Sequence, residues 1–223
     1  MVESAELERA IAAVHDRIAA ACARAGRRPE EVRVIAVTKG FPLEVVAAGA
    51  AAGLTEFGEN YVQELERKRG AAPRARWHFL GRVQSNKARR VVEGADLIHG
   101  LEPGRAAERV AAAAAERGRP APVLVEVDFT GRRVGVDPDR VEAFLDRAVV
   151  MEGLEVRGLM TIAPQDAAPG PVFARLRRLR DRIARTHPGV TELSMGMSAD
   201  YEEAVEEGAT MVRVGTAIFG ARP

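Results

Sequence analysis

The chain has 223 residues and a formal net charge of +1, from 33 basic and 32 acidic side chains. This balance gives no broad basic surface, so we expect neither nucleic acid nor a membrane as a partner. No run approaches the ~18 apolar residues of a membrane span and no signal segment opens the chain, which predicts a soluble, cytoplasmic protein. The single cysteine, Cys22, excludes an internal disulfide and a cysteine-based metal cluster.

Helical and strand-like segments alternate along the chain. Apolar residues recur at helical spacing in 4–25, and Gly26 ends this segment. Eight short β-branched or apolar runs then predict strands, at 32–39, 54–57, 76–80, 96–99, 123–128, 156–160, 192–195 and 211–214. Helical stretches between them are predicted from 43 onwards and at 61–69, 85–92, 105–117, 137–151, 171–186 and 199–207.

This alternation predicts an α/β fold, a single (β/α)8 TIM barrel over 32–223 with an extra N-terminal helix within 1–26. No linker, repeat or low-complexity tract divides the chain, so we expect one barrel domain over 1–223. An open doubly wound sheet is the alternative. Its phosphate loop is usually a G-x-G-x-x-G after the first strand, where this chain has Lys39-Gly40-Phe41-Pro42.

Lys39 ends the first predicted strand and shares a face with Ile35 and Val37. An amine held against apolar walls loses hydration, which favours the neutral, nucleophilic form that condenses with an aldehyde. The chain has only three lysines, and Lys68 lies in a charged segment that is typical of a solvated helix end. The alternative for Lys39 is an ordinary lysine whose ammonium extends into water.

Glycines and hydroxyls follow the last two predicted strands, in 194–200 and 213–220. In barrels the loops after strands seven and eight often bind phosphate, and Ser198 and Thr216 can donate hydroxyls there or cap helices. Either segment alone would favour ordinary capping. Their occurrence together favours an anion site.

Arg213 alternates with apolar neighbours on the last strand, which predicts a guanidinium inside the barrel. A buried guanidinium needs an acceptor, either a cofactor's ring nitrogen or a carboxylate such as Glu126 or Asp128. Together with the Lys39 amine and the phosphate loops, the first option fits pyridoxal 5′-phosphate.

Three further polar residues lie near predicted strand ends. Asn60 is placed to contact a cofactor's ring oxygen or to cap the following helix, and capping is the simpler expectation. His78 and His99 lack the spacing of a metal site, so we expect packing or hydrogen-bonding roles for them.

Six segments of the chain, in order, resemble the pyridoxal phosphate homeostasis protein family: 36–39, 57–64, 77–87, 158–162, 193–200 and 212–220. The resemblance implies a barrel like the N-terminal domain of alanine racemase, with pyridoxal phosphate bound as a Schiff base on Lys39. It also implies a role in intracellular pyridoxal phosphate homeostasis, in which the cofactor is buffered or delivered to apoenzymes and no catalytic reaction is established.

The same resemblance places Arg213 beside the ring nitrogen. It implies that the residues on the phosphate side are Ser194, Gly196, Met197, Ser198, Gly215 and Thr216. One departure is visible, because 128–135 is shorter than the corresponding loop of the family. A role of that loop, or of Lys87, in cofactor release or partner contact stays open.

Two enzymatic alternatives remain, a small amino-acid racemase and, less favoured, a Schiff-base aldolase. A racemase needs a second base, and the only tyrosines, Tyr61 and Tyr201, lie at predicted helix starts. The arginine beside the ring nitrogen also weakens the cofactor's electron sink. Both features favour a carrier, and the open barrel mouth favours a monomer.

Overall fold

The computed structural model describes residues 4–222, in which eight parallel strands close into a barrel in sequence order. The strands are β1 Arg33–Val37, β2 Glu56–Glu59, β3 Arg76–Phe79, β4 Leu97–Leu101, β5 Ala121–Glu126, β6 Leu154–Met160, β7 Glu192–Met197 and β8 Met211–Val214. The α-helices are α1 Ser4–Arg24, α2 Leu43–Ala51, α3 Val62–Arg69, α4 Ala88–Gly94, α5 Arg105–Glu116, α6 Val141–Val149, α7 Gly170–Ile183, α8 Tyr201–Glu206 and α9 Thr216–Phe219. This architecture confirms the predicted TIM barrel with an additional N-terminal helix.

The inner faces of five strands build one apolar layer inside the barrel, from Ile35, Leu97, Leu124, Met160 and Met211. Side chains alternate along a strand, so the next inward residue lies two positions closer to the barrel mouth. These next residues are Val37, His99, Glu126 and Arg213 on their strands, and Ile162 just beyond the end of β6. Polar groups therefore enter the barrel directly above its apolar layer.

The outer faces of the strands pack beneath the helices in the larger core. Phe57 and Trp77, for example, stack there with ring centroids 5.4 Å apart. Outside the barrel, α1 lies against α8 and α9, and Arg24 forms an ion pair with Glu206 over 2.6 Å. No helix within residues 4–222 is long and apolar enough to cross a membrane.

Several boundaries differ from the sequence-based expectation; β1, for example, ends at Val37 and not at Lys39. Strand β2 continues two residues beyond the predicted 54–57, because Gly58 and Glu59 pair with β3. Helix α2 runs through Gly49 and ends at Ala51. An ideal Cβ on Gly49 would approach a Leu54 methyl to 3.1 Å, so glycine there allows the helix to lie close to the chain entering β2.

Gly158 sets the spacing of β6 and β7. It pairs with Glu192, and an ideal Cβ on Gly158 would lie 2.1 Å from the Glu192 carbonyl oxygen. We expect Gly158→Ala to force the strands apart and to lower the free energy of unfolding in urea by about 2 kcal/mol or more. Gly70→Ala is the matched control, since no atom lies within 4 Å of its added Cβ. Equal stability of the two variants would contradict this account.

Candidate functional site

Lys39 lies two residues beyond the end of β1, and from the alternation of the strand we expect its side chain at the barrel mouth. Its neighbour Thr38 faces the opposite way, since the Thr38 hydroxyl donates to Glu59 outside the barrel over 2.6 Å. The Lys39 side chain is half-buried. In the structure of residues 4–222, no hydrogen bond or ion pair engages its ammonium. The amine is thus free to meet a ligand.

Lys68 occupies a buried ionic cluster between α3 and the outer faces of β1 and β2. Its side chain is fully buried, and Nζ donates to Glu59 Oε1 at 2.7 Å, to Glu64 Oε2 at 2.5 Å and to the Thr38 carbonyl oxygen at 2.7 Å. These three acceptors match the three N–H groups of an ammonium. The expectation of a solvated helix end at Lys68 is therefore wrong.

This cluster holds the main chain on both sides of Lys39. The residue before it, Thr38, is bound through its carbonyl oxygen and its hydroxyl. The residue after it, Gly40, donates its amide N–H to Glu64 Oε2 over 3.0 Å. Lys39 is positioned through its neighbours, and its own amine is left unengaged.

The pKa values of the two carboxylates in the cluster are shifted in opposite directions. Burial raises the pKa of Glu59 above its usual value, although Lys68 and Thr38 donate to it. Burial also acts to raise the pKa of Glu64, but hydrogen bonds from Lys68 and the Gly40 amide outweigh it and lower that pKa. Glu64 is the member of the cluster that stays ionised most readily.

Arg213 lies inside the barrel and is almost fully buried. It donates from Nη1 to Ser194 Oγ over 2.6 Å and from Nη2 to the Thr161 carbonyl oxygen over 2.9 Å. Among the salt bridges of residues 4–222 none involves Arg213, so the ion pair considered with Glu126 or Asp128 is not formed. Burial lowers the pKa of the Arg213 guanidinium to about 10, which leaves it charged at neutral pH.

Glu126 is the inward residue at the end of β5. Burial raises its pKa to about 7, repulsion from Glu102 adds to the rise, and attraction by Arg213 opposes it. An ideal Cβ on the neighbouring Gly100 would lie 3.1 Å from Glu126 Oε2, so a larger residue there would crowd this carboxyl. Nothing in the sequence pattern predicted a carboxyl that titrates near neutral pH.

The loops after β7 and β8 are joined by one hydroxyl. Ser198 Oγ accepts hydrogen bonds from the Gly215 amide at 3.2 Å and the Ala217 amide at 3.3 Å. Within the first loop, the Met197 amide donates to Asp200 Oδ1 over 2.6 Å. Ser198 therefore caps the start of α9 across the two loops, which is the structural role weighed for it from the sequence.

Three amides of these loops remain available as donors. The hydrogen bonds described for residues 4–222 assign no acceptor to the amides of Ser198, Ala199 and Thr216. Gly196 permits the turn that presents the first two, because its φ is +89° and an ideal Cβ would lie 2.5 Å from Ala204 Cβ. Amides without acceptors are suitable donors for an anion.

Asn60 does not cap α3. The residue before the helix is Tyr61, and no side chain caps its first turn, so the capping expectation is wrong. Asn60 is half-buried beside the barrel mouth, and its carbonyl oxygen lies 2.2 Å from where a Cβ on Gly81 would be placed. Glycine at 81 therefore lets the loops after β2 and β3 pack directly together.

The short loop after β5 is internally bonded. Asp128 Oδ1 accepts from the amide and the hydroxyl of Thr130, and Oδ2 accepts from the Arg133 amide over 2.9 Å. A β-bridge between Val127 and Val136 closes the segment at its base. The side chain of Asp128 is thus used within its own loop.

His78 and His99 are both fully buried in the barrel and bonded to each other over 2.9 Å. The other ring nitrogen of His78 is bonded to Glu56, and that of His99 is bonded to Ser194. No group of three metal-ligating side chains occurs among residues 4–222. The hydroxyl of Ser194, a residue that the family resemblance places on the phosphate side, is bonded to His99 and to Arg213.

Removing the Lys68 ammonium would leave the buried Glu59 carboxylate without its paired cation, with only the Thr38 hydroxyl donating to it. We therefore expect Lys68→Met to lower the free energy of unfolding by about 3 kcal/mol, as measured by urea denaturation. Arg67→Met is the control, because it removes a cation from an exposed position of the same helix. Similar losses in the two variants would show that the cluster does not stabilise the fold.

The raised pKa of Glu126 makes stability depend on pH. The folded chain binds this proton more tightly than the unfolded chain does, so stability falls as the pH rises from about 4.5 to about 7. Allowing for the partial exposure of Glu126, this loss should amount to about 2 kcal/mol. Urea midpoints at several pH values should show the dependence in the native chain and much less of it in Glu126→Gln. An identical pH profile in the variant would contradict the assignment.

A family model described as alanine racemase, N-terminal domain, matches residues 10–223. The pyridoxal phosphate homeostasis protein of Deinococcus radiodurans is 44% identical over 201 residues, which cover 88% of this chain and 93% of the relative. That of Aquifex aeolicus is 38% identical over 217 residues, 94% of this chain and 95% of the relative.

The solved structure of PipY from Synechococcus elongatus PCC7942 with PLP bound is similar to this barrel. Its TM-score is 0.82 at 38% identity, with 93% of this chain and 100% of PipY covered. These matches confirm the resemblance predicted from six sequence segments. The chain belongs to the pyridoxal phosphate homeostasis protein family, whose barrel is that of the alanine racemase N-terminal domain.

Proposed function

We propose that this chain binds pyridoxal 5′-phosphate at the barrel mouth and serves intracellular pyridoxal phosphate homeostasis. The observation that carries the proposal is the unengaged amine of Lys39, which a buried ionic cluster positions through both neighbouring residues. The names of the relatives and the PLP-bound PipY structure support the same ligand.

The polar groups of the mouth fit this cofactor. When bound, pyridoxal 5′-phosphate supplies an aldehyde that condenses with an amine and releases water, a ring nitrogen that accepts a hydrogen bond, and an anionic phosphate. Lys39 is the amine available for the Schiff base. Arg213 donates two hydrogen bonds to the protein and keeps further N–H groups for an acceptor.

The loops after β7 and β8 would hold the phosphate. Their unused amides belong to Ser198, Ala199 and Thr216, and the Ser198 hydroxyl orders the loops around them. Gly196 and Gly215 act through the main chain, since a Cβ at 215 would approach the Val37 carbonyl oxygen to 3.1 Å. In the same proposal Met197 and Asn60 line the site. Ser194 contributes to the site by accepting a hydrogen bond from Arg213, which orients the guanidinium.

Two features support a carrier over a racemase. The Arg213 guanidinium stays charged at neutral pH, so it donates a hydrogen bond to a ring nitrogen without transferring a proton. Tyr201 is buried, with the Arg17 guanidinium 5.4 Å above its ring, and so is held away from the mouth. We propose that the chain, a single barrel domain, acts as a cytoplasmic monomer that buffers the cofactor and delivers it to apoenzymes.

Reduction with borohydride tests the site directly. We expect the chain mixed with pyridoxal 5′-phosphate to be yellow, to bleach on reduction, and to carry a pyridoxyl group on the peptide containing Lys39. Lys39→Met should lose the colour and the label. Lys87→Met, a half-buried lysine outside the cluster, should keep both. A colourless native chain, or one labelled elsewhere, would overturn the proposal.

A second measurement separates a carrier from a racemase. A carrier should transfer the cofactor to an apoenzyme and leave solvent deuterium out of the α-position of alanine. Rapid α-deuteration by the native chain and not by Lys39→Met would establish the racemase instead.

A further inference from the structure

A continuous hydrogen-bonded chain crosses the inside of the barrel. It begins at Glu56, whose Oε2 lies 2.8 Å from His78 Nε2, and continues from His78 Nδ1 to His99 Nε2 over 2.9 Å. His99 Nδ1 is then 2.9 Å from Ser194 Oγ, which is 2.6 Å from Arg213 Nη1. The hydrogen bonds link β3, β4, β7 and β8 with Glu56, the first residue of β2. They run from the base of the barrel towards its mouth.

The chemistry of its two ends fixes the direction of donation. Arg213 only donates, so Ser194 Oγ accepts from it. The single hydroxyl hydrogen of Ser194 then has one described acceptor, His99 Nδ1. Because His99 accepts at Nδ1, its hydrogen is on Nε2 and is donated to His78 Nδ1. His78 in turn carries its hydrogen on Nε2 and donates it to the Glu56 carboxylate.

The charges along the chain agree with this direction. Burial lowers the pKa of His78 below its usual value, although Glu56 opposes the change, and lowers that of His99 further. Burial acts to raise the pKa of Glu56, but the hydrogen bond from His78 and the attraction of nearby cations, Arg33 and Arg76 among them, together lower it. Two neutral imidazoles therefore lie between a carboxylate and a guanidinium.

We propose that Ser194, His99, His78 and Glu56 form one chain of donors with a single direction, which positions Arg213 at the barrel mouth. This inference rests on the proposed function in one respect, namely that Arg213 faces the cofactor. His78 and His99 are positioning residues, since each acts on the site only through Ser194 and Arg213. In this hydrogen-bonded chain one N–H group of Arg213 is donated to Ser194, which determines which of its other N–H groups face a ligand.

Nitrogen NMR of the histidine side chains tests the direction without any cofactor. The protein has four histidines. His15 and His187 lie outside the barrel and provide reference signals. Near neutral pH we expect His78 and His99 each to carry hydrogen on Nε2 and none on Nδ1. A hydrogen on His99 Nδ1, or a doubly protonated His78, would overturn the proposal. This result does not depend on whether pyridoxal phosphate binds.

Two substitutions of His99 test the positioning role. His99→Asn offers its side-chain oxygen to Ser194 in place of Nδ1, whereas His99→Leu removes the acceptor. We expect pyridoxal phosphate to leave His99→Leu about fivefold faster than the native chain, and His99→Asn to stay within about twofold of it. The rate is followed by transfer to excess apoenzyme. Equal rates in the two variants and the native chain would refute positioning through Ser194.

The two experiments distinguish the possible failures. If the native chain shows the expected histidine hydrogens but binds no cofactor, the proposed function fails while the direction of the chain stands. If His99→Leu does not fold, Ser194→Thr and Ser194→Ala provide the same comparison of release rates, since only threonine keeps the hydroxyl. If Ser194→Ala releases the cofactor at the same rate as Ser194→Thr, the positioning role proposed for the hydrogen-bonded chain is overturned.

Discussion

The alternation of side chains at the end of β1 is the constraint on which the candidate site depends. Thr38 faces outward and is bound to Glu59, so alternation directs the next residue, Lys39, towards the barrel mouth in the proposed site. Because all strands of a closed parallel barrel end at one mouth, the same rule brings Arg213 and Glu126 from β8 and β5 into that space. A shift of β1 by one residue would turn the lysine outward and place the Thr38 side chain at the barrel mouth instead.

Two separate polar systems support the site from opposite sides of the strands. Outside the barrel, Lys68 and its carboxylates hold the main chain around Lys39. Inside it, the bonded chain through His78 and His99 ends on Arg213. The apolar residues of the outer core and of the inner layer surround both systems, which lowers the local dielectric and makes unpaired polar atoms costly. Each system is consequently held to one geometry.

The sequence was sufficient to predict the barrel and the inward guanidinium of Arg213, because period-two alternation and strand order determine them. It was not sufficient for Lys68, whose flanking arginines suggested solvent, although Glu64 four residues earlier was a signal for an ion pair on the helix. The charged residues that flank Lys68 in the sequence show only what lies beside it along the chain. Burial of Lys68 depends on Glu59, which another element brings to it.

The remaining differences have similar causes. Resemblance placed Ser194 on the phosphate side, but its hydroxyl is used by Arg213 and His99, a contact between strands that are distant in the sequence. The pKa of Glu126 depends on its burial and on Glu102 and Arg213, and none of these is visible in a strand pattern. What sequence periodicity cannot supply is which inward side chains meet across the barrel.

The placement of the ionic cluster explains why a carrier would retain buried charge. A buried ion pair contributes little stability compared with well-packed apolar residues, so stability alone does not account for Lys68. A direct hydrogen bond from the Lys39 ammonium to a carboxylate would fix that residue but would also keep the amine occupied and favour its charged form. By bonding to the Thr38 carbonyl oxygen and, through Glu64, to the Gly40 amide, the cluster fixes the main chain on both sides. The amine is thereby positioned without being engaged, which is what the proposed Schiff base on Lys39 requires.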